Sequence, residues 1–154
     1  MPRFETPVIA PTLMDRCPVH ALRARLRKAN LRPTRQRVAL GWLLFAKGDR
    51  HVTAEMLTEE ARAAKVPVSV ATVYNTLHQF TEAGLLAQTS IDSGRVFFDT
   101  NTRPHHHFLI EETNALVDIP RGAVAIDKLP SAPAGYQTTG FEVIVRLRRL
   151  ETPD

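Results

Sequence analysis

The chain has 154 residues, 44% of them hydrophobic, with a formal net charge of +4. That is enough for one sizeable domain or two small ones with packed cores, and it argues against disorder. No apolar run approaches 20 residues, so no membrane span is expected, and the single cysteine, Cys17, rules out an internal disulfide and a Cys-pair zinc site. The first 14 residues hold three prolines, one early positive charge and no long apolar stretch, which is not the pattern of a signal peptide. A cytoplasmic protein with a flexible tail over residues 1–17 is expected.

The charge is unevenly spread. Residues 13–50 hold ten Lys or Arg against two acids, Asp15 and Asp49. A contiguous basic segment of this kind suits a polyanion.

In chain order, Pro18 suits the first turn of a short basic helix over 18–29, with Leu22 and Leu26 on one face. Pro33 breaks it, and Thr34 caps a second helix over 35–46. Its apolar residues, including Val38, Trp42, Phe45, Leu40, Leu43 and Leu44, predict that it is largely buried. Thr53 caps a third helix carrying Ala54, Leu57, Ala61 and Ala64 at helical spacing. Ser69 caps a fourth over 70–83, with Val70, Val73, Leu77 and Phe80 as its apolar stripe and Gly84 as its stop. LLAQTSI and RVFFD, joined by Asp92-Ser93-Gly94, read as a hairpin. Helices followed by a two-stranded wing make a winged helix-turn-helix over 18–100. After a hinge at 101–104, residues 105–150 form a small α+β domain. Its strands are HHHFLIE, ALVDI and FEVIVRLRRL, and 122–129 could form a short helix. The third strand places Phe141, Val143, Val145 and Leu147 on one face. Some 50 residues make a marginal core, and pairing with a second copy would complete it.

A major groove admits one helix. On the fourth helix the face opposite the apolar stripe carries Ala71, Thr72, Asn75, His78 and Gln79, with Tyr74 beside it and Ser69 at its head. These uncharged groups suit base edges and thymine methyls. Arg32, Arg35 and Arg37, together with Arg95 in the wing, would clamp phosphates. An ordinary solvated helix face is the bland alternative. The basic segment and the hairpin tip the balance to double-stranded DNA.

Three further features carry chemistry. His105 and His107 share one face of their strand and His106 points away, so one pair could hold a metal or haem. His51 precedes a helix cap and Asp99 ends a strand, and each by itself reads as an ordinary solvated residue. Cys17-Pro18, with His20 nearby, places a thiol at a helix start. The dipole and Arg16 favour the thiolate there, and Asp15 opposes it. No HExxH-like arrangement or nucleophile–base pair is visible, which argues against an enzyme. A haem-binding carrier without sequence-selective DNA affinity is the competing class.

The run LRPTRQRVALGWLLF…HVTAEMLTEEARAAKVPVSVATVYNTLHQFTEAGLL resembles the winged-helix domain of the ferric uptake regulator family, with SVATVYNTL matching its recognition helix. HHHFLIEETNALVDIP resembles the start of that family's dimerisation domain. The resemblance spans about residues 18–150. RPTRQRVALGWLLF, AKVPVS, ATVYNTL, the HHH run and VIVRLRR are most similar to the iron response regulator branch. It implies a homodimer on a palindromic operator, regulating iron and haem metabolism genes. Haem would be the regulatory ligand, through Cys17, His105, His106 and His107. It also implies a sensing site for Fe, Mn or Zn. His51, Asp99 and His106 match that site, although Phe108 stands where the second histidine of the pair would fall. Glu111 and Asn114 replace a CxxC pair, so no structural zinc is implied there.

Overall fold

The computed structural model describes residues 18–91 and 94–151. The chain forms two compact units, one up to Thr102 and one from Arg103. Cys17 and the Asp92-Ser93 turn lie outside the described residues.

The first unit contains four helices, α1 (Pro18–Lys28), α2 (Arg35–Phe45), α3 (Ala54–Ala63) and α4 (Val70–Glu82). It also contains three strands, β1 (His51–Val52), β2 (Ala87–Ser90) and β3 (Val96–Asp99). The strands make one antiparallel sheet in the order β1-β3-β2. Leu22 and Leu26, one helical turn apart, bury the inner face of α1. They join Leu40 and Leu44 of α2, Leu57 and Ala61 of α3, Val73, Leu77 and Phe80 of α4, and Val52 and Phe98 of the sheet in one core. Gly41 lets α1 come close: a Cβ there would lie 3.1 Å from Leu22 Cδ1.

Three helices start on a hydroxyl. Thr34, Thr53 and Ser69 accept from the backbone N–H groups of Arg37, Met56 and Thr72, at 3.3, 3.1 and 3.1 Å. Three also end alike. After α1, α3 and α4 a left-handed residue turns the chain, and the next N–H reaches back five positions: Leu31 to Leu26 (2.9 Å), Val66 to Ala61 (2.8 Å) and Leu85 to Phe80 (2.8 Å). The left-handed residues are Asn30, Lys65 and Gly84, with φ 59°, 56° and 77°. Gly84 holds this conformation at no steric cost, and Lys65 does not.

Arg50 fixes the approach to β1. Its Nη1 donates to the Leu43 carbonyl at 3.1 Å and to Glu60 Oε2 at 2.9 Å, and its Nη2 donates to Glu60 Oε1. The guanidinium holds the Glu60 carboxyl below the usual carboxylate range.

The second unit is a three-stranded sheet, β4 (His107–Ile110), β5 (Ala115–Asp118) and β6 (Ile144–Leu147). β4 is central, antiparallel to β5 and parallel to β6. Leu109, Leu116 and Ile119 are buried. At the positions where a CxxC would stand, Glu111 instead accepts from Arg148 Nη2 at 3.1 Å, and the neighbouring Glu112 accepts from the Arg149 backbone N–H at 2.7 Å.

Three expectations are corrected. Residues 122–129 form no helix. Gly122 is left-handed, Ile126 and Leu129 are exposed, and so short a helix needs a packed face. Trp42 is 40% exposed rather than buried, because α2 turns Val38, Gly41 and Leu44 inward instead. Val70 is also exposed, leaving Val73, Leu77 and Phe80 as the buried stripe of α4.

Replacing Lys65 by glycine removes the left-handed strain and should raise stability by about 1 kcal/mol, read as a higher urea midpoint. Because the folded pKa of Glu60 is depressed, its contribution is present above the unfolded carboxylate value and is lost as pH falls through the folded one. Glu60→Gln should therefore be less stable than the parent at neutral pH, and the gap should close in acid. Parallel melting curves across that range measure it.

Candidate nucleic-acid interface and metal centre

The helix cap at Ser69 fixes where α4 begins, and the buried stripe fixes how it is rotated. Opposite the stripe, Ala71, Tyr74, Asn75 and His78 are exposed, and Thr72 and Gln79 are half-buried. These residues make an uncharged surface one helix wide. Around it stand Arg32 and Arg35, both exposed, half-buried Arg37, and Arg95 beside the wing.

Two of the candidate readers already have partners. The Tyr74 hydroxyl donates to Glu55 Oε1 at 2.7 Å. That bond lowers the Glu55 pKa and raises that of Tyr74. Gln79 Oε1 accepts from Arg37 Nε at 3.3 Å and Nη2 at 3.0 Å. A cleft of about 650 Å³ opens between Glu55, Tyr74, His78 and Arg95.

In the first unit, antiparallel register sets His51 opposite Asp99. His51 Nε2 lies 3.0 Å from Asp99 Oδ2. The other oxygen of this buried carboxylate accepts the Asn101 backbone N–H at 2.8 Å. The pair is thus held in one orientation from the strand and from the loop after it.

In the second unit, register sets His107 opposite Asp118. His105 lies on the same side as His107, their ring centroids 4.5 Å apart. His105 Nδ1 faces the Arg103 carbonyl at 2.5 Å, and a carbonyl only accepts, so this nitrogen carries the hydrogen. Its Nε2 lies 3.1 Å from Asp118 Oδ1. His107 Nδ1 lies 2.5 Å from Glu142 Oε1, and its Nε2 lies 3.5 Å from the same Asp118 oxygen. Ligand atoms of His105, His107 and Asp118 fall within 4.8 Å of one another. With Nδ1 donating outward, each ring turns a lone pair towards a carboxylate oxygen. That arrangement repels itself unless a cation, either protons or a metal ion, sits among the three groups. An outer acceptor on each ring is also the usual support of a metal-bound histidine. The donor set therefore fits a metal ion.

His106 has another role. Its Nδ1 accepts the Val143 backbone N–H at 3.1 Å, and its ring lies against Phe141. Ligation through Nε2 would put a proton on Nδ1, facing that N–H. The expected ligand His106 therefore has its Nδ1 engaged by the backbone, while the flanking His105 and His107 are the histidines brought to Asp118. Sequence reasoning missed Asp118 and Glu142. Asp118 ends an ordinary apolar strand, and only the β4–β5 register brings it opposite His107. Glu142 is 35 positions from its histidine, and no spacing marks it. Cys17, the thiolate candidate for haem, lies outside the described residues.

The ferric uptake regulator family profile matches residues 28–143. The ferric uptake regulation protein of Pseudomonas fluorescens is 32% identical over 96 residues, covering 62% of this chain and 78% of that protein. The peroxide-responsive repressor PerR of Staphylococcus epidermidis is 36% identical over 96 residues, covering 62% and 63%. In fold, the chain is similar to the ferric uptake regulator of Pseudomonas aeruginosa solved with manganese. The TM-score is 0.61 at 24% identity, over 83% of this chain and 97% of that one. The helical unit with its wing, the small sheet after it and these matches agree: the chain belongs to the ferric uptake regulator family of metal-responsive, dimeric, DNA-binding transcription regulators, which are not enzymes.

Proposed function

We propose that this regulator senses a divalent metal ion through His105, His107 and Asp118, and that it reads a palindromic operator with α4. The observation that carries the metal reading is the pair of imidazoles turned on one carboxylate oxygen, each braced from behind. Within the first unit, His51 and Asp99 form a separate imidazole–carboxylate pair of the same chemistry. Imidazole and carboxylate donors suit Mn, Fe or Zn, and manganese accompanies the similar Pseudomonas aeruginosa structure. The ion, when bound, supplies the positive charge that the clustered lone pairs lack. Glu142 and the Arg103 carbonyl orient the rings, and Asp118 offsets part of the charge.

On DNA, Ser69, Ala71, Thr72, Tyr74 and Asn75 would face base edges, while Arg32, Arg35, Arg37 and Arg95 take phosphates. Phe141, Val145 and Leu147 are exposed and apolar along the β6 segment, a surface suited to a second copy of the chain. The narrower assignment to the iron response regulator branch, with haem as effector, rests on the sequence runs quoted above, Cys17-Pro18 and the histidine run. Haem titration with visible spectra of the parent, Cys17→Ala and His105→Ala/His107→Ala tests it, and an unchanged spectrum rejects haem.

Manganese titration with elemental analysis tests the ion. His105→Ala and His107→Ala should each abolish measurable binding, and Glu142→Ala should weaken it by about 10–100-fold. Retained stoichiometry and affinity in the histidine variants would reject the site. For DNA, affinity should fall steeply with salt in a mobility-shift series. Arg35→Ala should weaken all duplexes alike and reduce the salt slope by about one, whereas Asn75→Ala should chiefly erode discrimination between sequences. Equal loss of discrimination in both variants would remove this division of roles.

A further inference from the structure

The contact between Arg37 and Gln79 joins the start of α2 to the groove-facing helix α4. Gln79 Oε1 accepts from both Nε and Nη2 of Arg37, at 3.3 and 3.0 Å. On its other side the guanidinium donates from Nη1 to the Arg32 carbonyl at 3.0 Å. Guanidinium has five N–H donors. These three contacts leave one hydrogen on each terminal nitrogen. Both partners are uncharged oxygens, so the positive charge is oriented without being cancelled. Arg37 and Gln79 are both half-buried, which restricts the rotamers of each.

Bidentate reading of adenine by a glutamine needs its carbonyl as acceptor and its amide as donor. Here the carbonyl oxygen is committed to Arg37. We propose that Gln79 is a positioning residue rather than a base reader: it holds Arg37 with its two remaining N–H groups ready for a DNA phosphate. The inference rests on the reading of α4 as the DNA-facing helix. Its physical basis is preorganisation, since a long side chain already held in place loses less freedom on binding. The same bond makes the placement of α4 and of the phosphate contact interdependent.

The test is a double-mutant cycle read by fluorescence anisotropy. The duplexes are one selected by the parent protein from a random pool and one scrambled. The proteins are the parent, Gln79→Ala, Arg37→Ala and the double variant, each melted by circular dichroism and measured well below its transition. Gln79→Met, similar in volume but without an acceptor, stands in if the alanine variant does not fold.

Gln79→Ala should weaken both duplexes by the same factor, about fivefold for the side-chain freedom that Arg37 must then lose on binding. The preferred sequence should not change. In the Arg37→Ala background the same substitution should change affinity by less than about twofold, because the two residues act as one unit. An undiminished effect in that background, or a loss confined to one base pair, would show that Gln79 touches DNA directly and would overturn the proposal. A lower melting temperature with unchanged affinity would make the contact a structural tie only, and would overturn it too. Failure of the parent to select any sequence would instead remove the underlying reading of α4, and this inference with it.

Discussion

Strand register is the constraint on which the candidate metal chemistry depends. In each unit a histidine and an aspartate occupy directly opposed positions of an antiparallel pair, His51 with Asp99 and His107 with Asp118. Opposed residues are the closest side-chain neighbours a sheet offers. A slip of one position would send each side chain to the other face and dissolve both pairs. The apolar neighbours prevent that slip: Phe98 in the first unit and Leu109 with Leu116 in the second are buried, so moving the register would expose them. Hydrophobic burial thus fixes polar geometry it has no direct part in.

The helical unit depends on a different device. Hydroxyl caps start α2, α3 and α4, and a left-handed residue ends α1, α3 and α4. A helix with both ends defined and one face buried has little freedom to rotate. The uncharged face of α4 is presented for that reason, not because its polar residues seek water. Two charged residues refine the surface from outside α4. Arg37 donates to the Gln79 carbonyl, and Glu55 accepts the Tyr74 O–H, so the hydroxyl is left with acceptor capacity only.

The second unit shows how little it takes to hold a small sheet. Where the resemblance places a zinc thiolate, Glu111 engages the side chain of Arg148, and neighbouring Glu112 engages the backbone of Arg149 beyond the end of β6. Exposed ion pairs of this kind contribute weakly. Burial of Leu109, Leu116 and Ile119 is the larger contribution, and the exposed apolar residues of β6 suit the dimeric habit of the family. Small domains gain most from such association because they bury the least surface alone.

Local chemistry made much of this legible from the residues. The caps at Thr34, Thr53 and Ser69, the stop at Gly84 and the helical spacing of buried Leu22, Leu26, Leu57, Leu77 and Phe80 depend on neighbours a few positions away, and they stand where the pattern puts them. Period-two alternation likewise set His105 and His107 on one side and His106 on the other. What tertiary structure alone decided was which distant residues meet those side chains. Asp118 and Glu142 enter the histidine cluster through β4–β5 pairing and the arrival of the segment before β6. Gln79 meets Arg37 because α2 brings that guanidinium to its carbonyl. Trp42 stays exposed because Gly41 gives the close approach to α1. Sequence periodicity carries information about faces, and partners across a fold carry no periodicity at all.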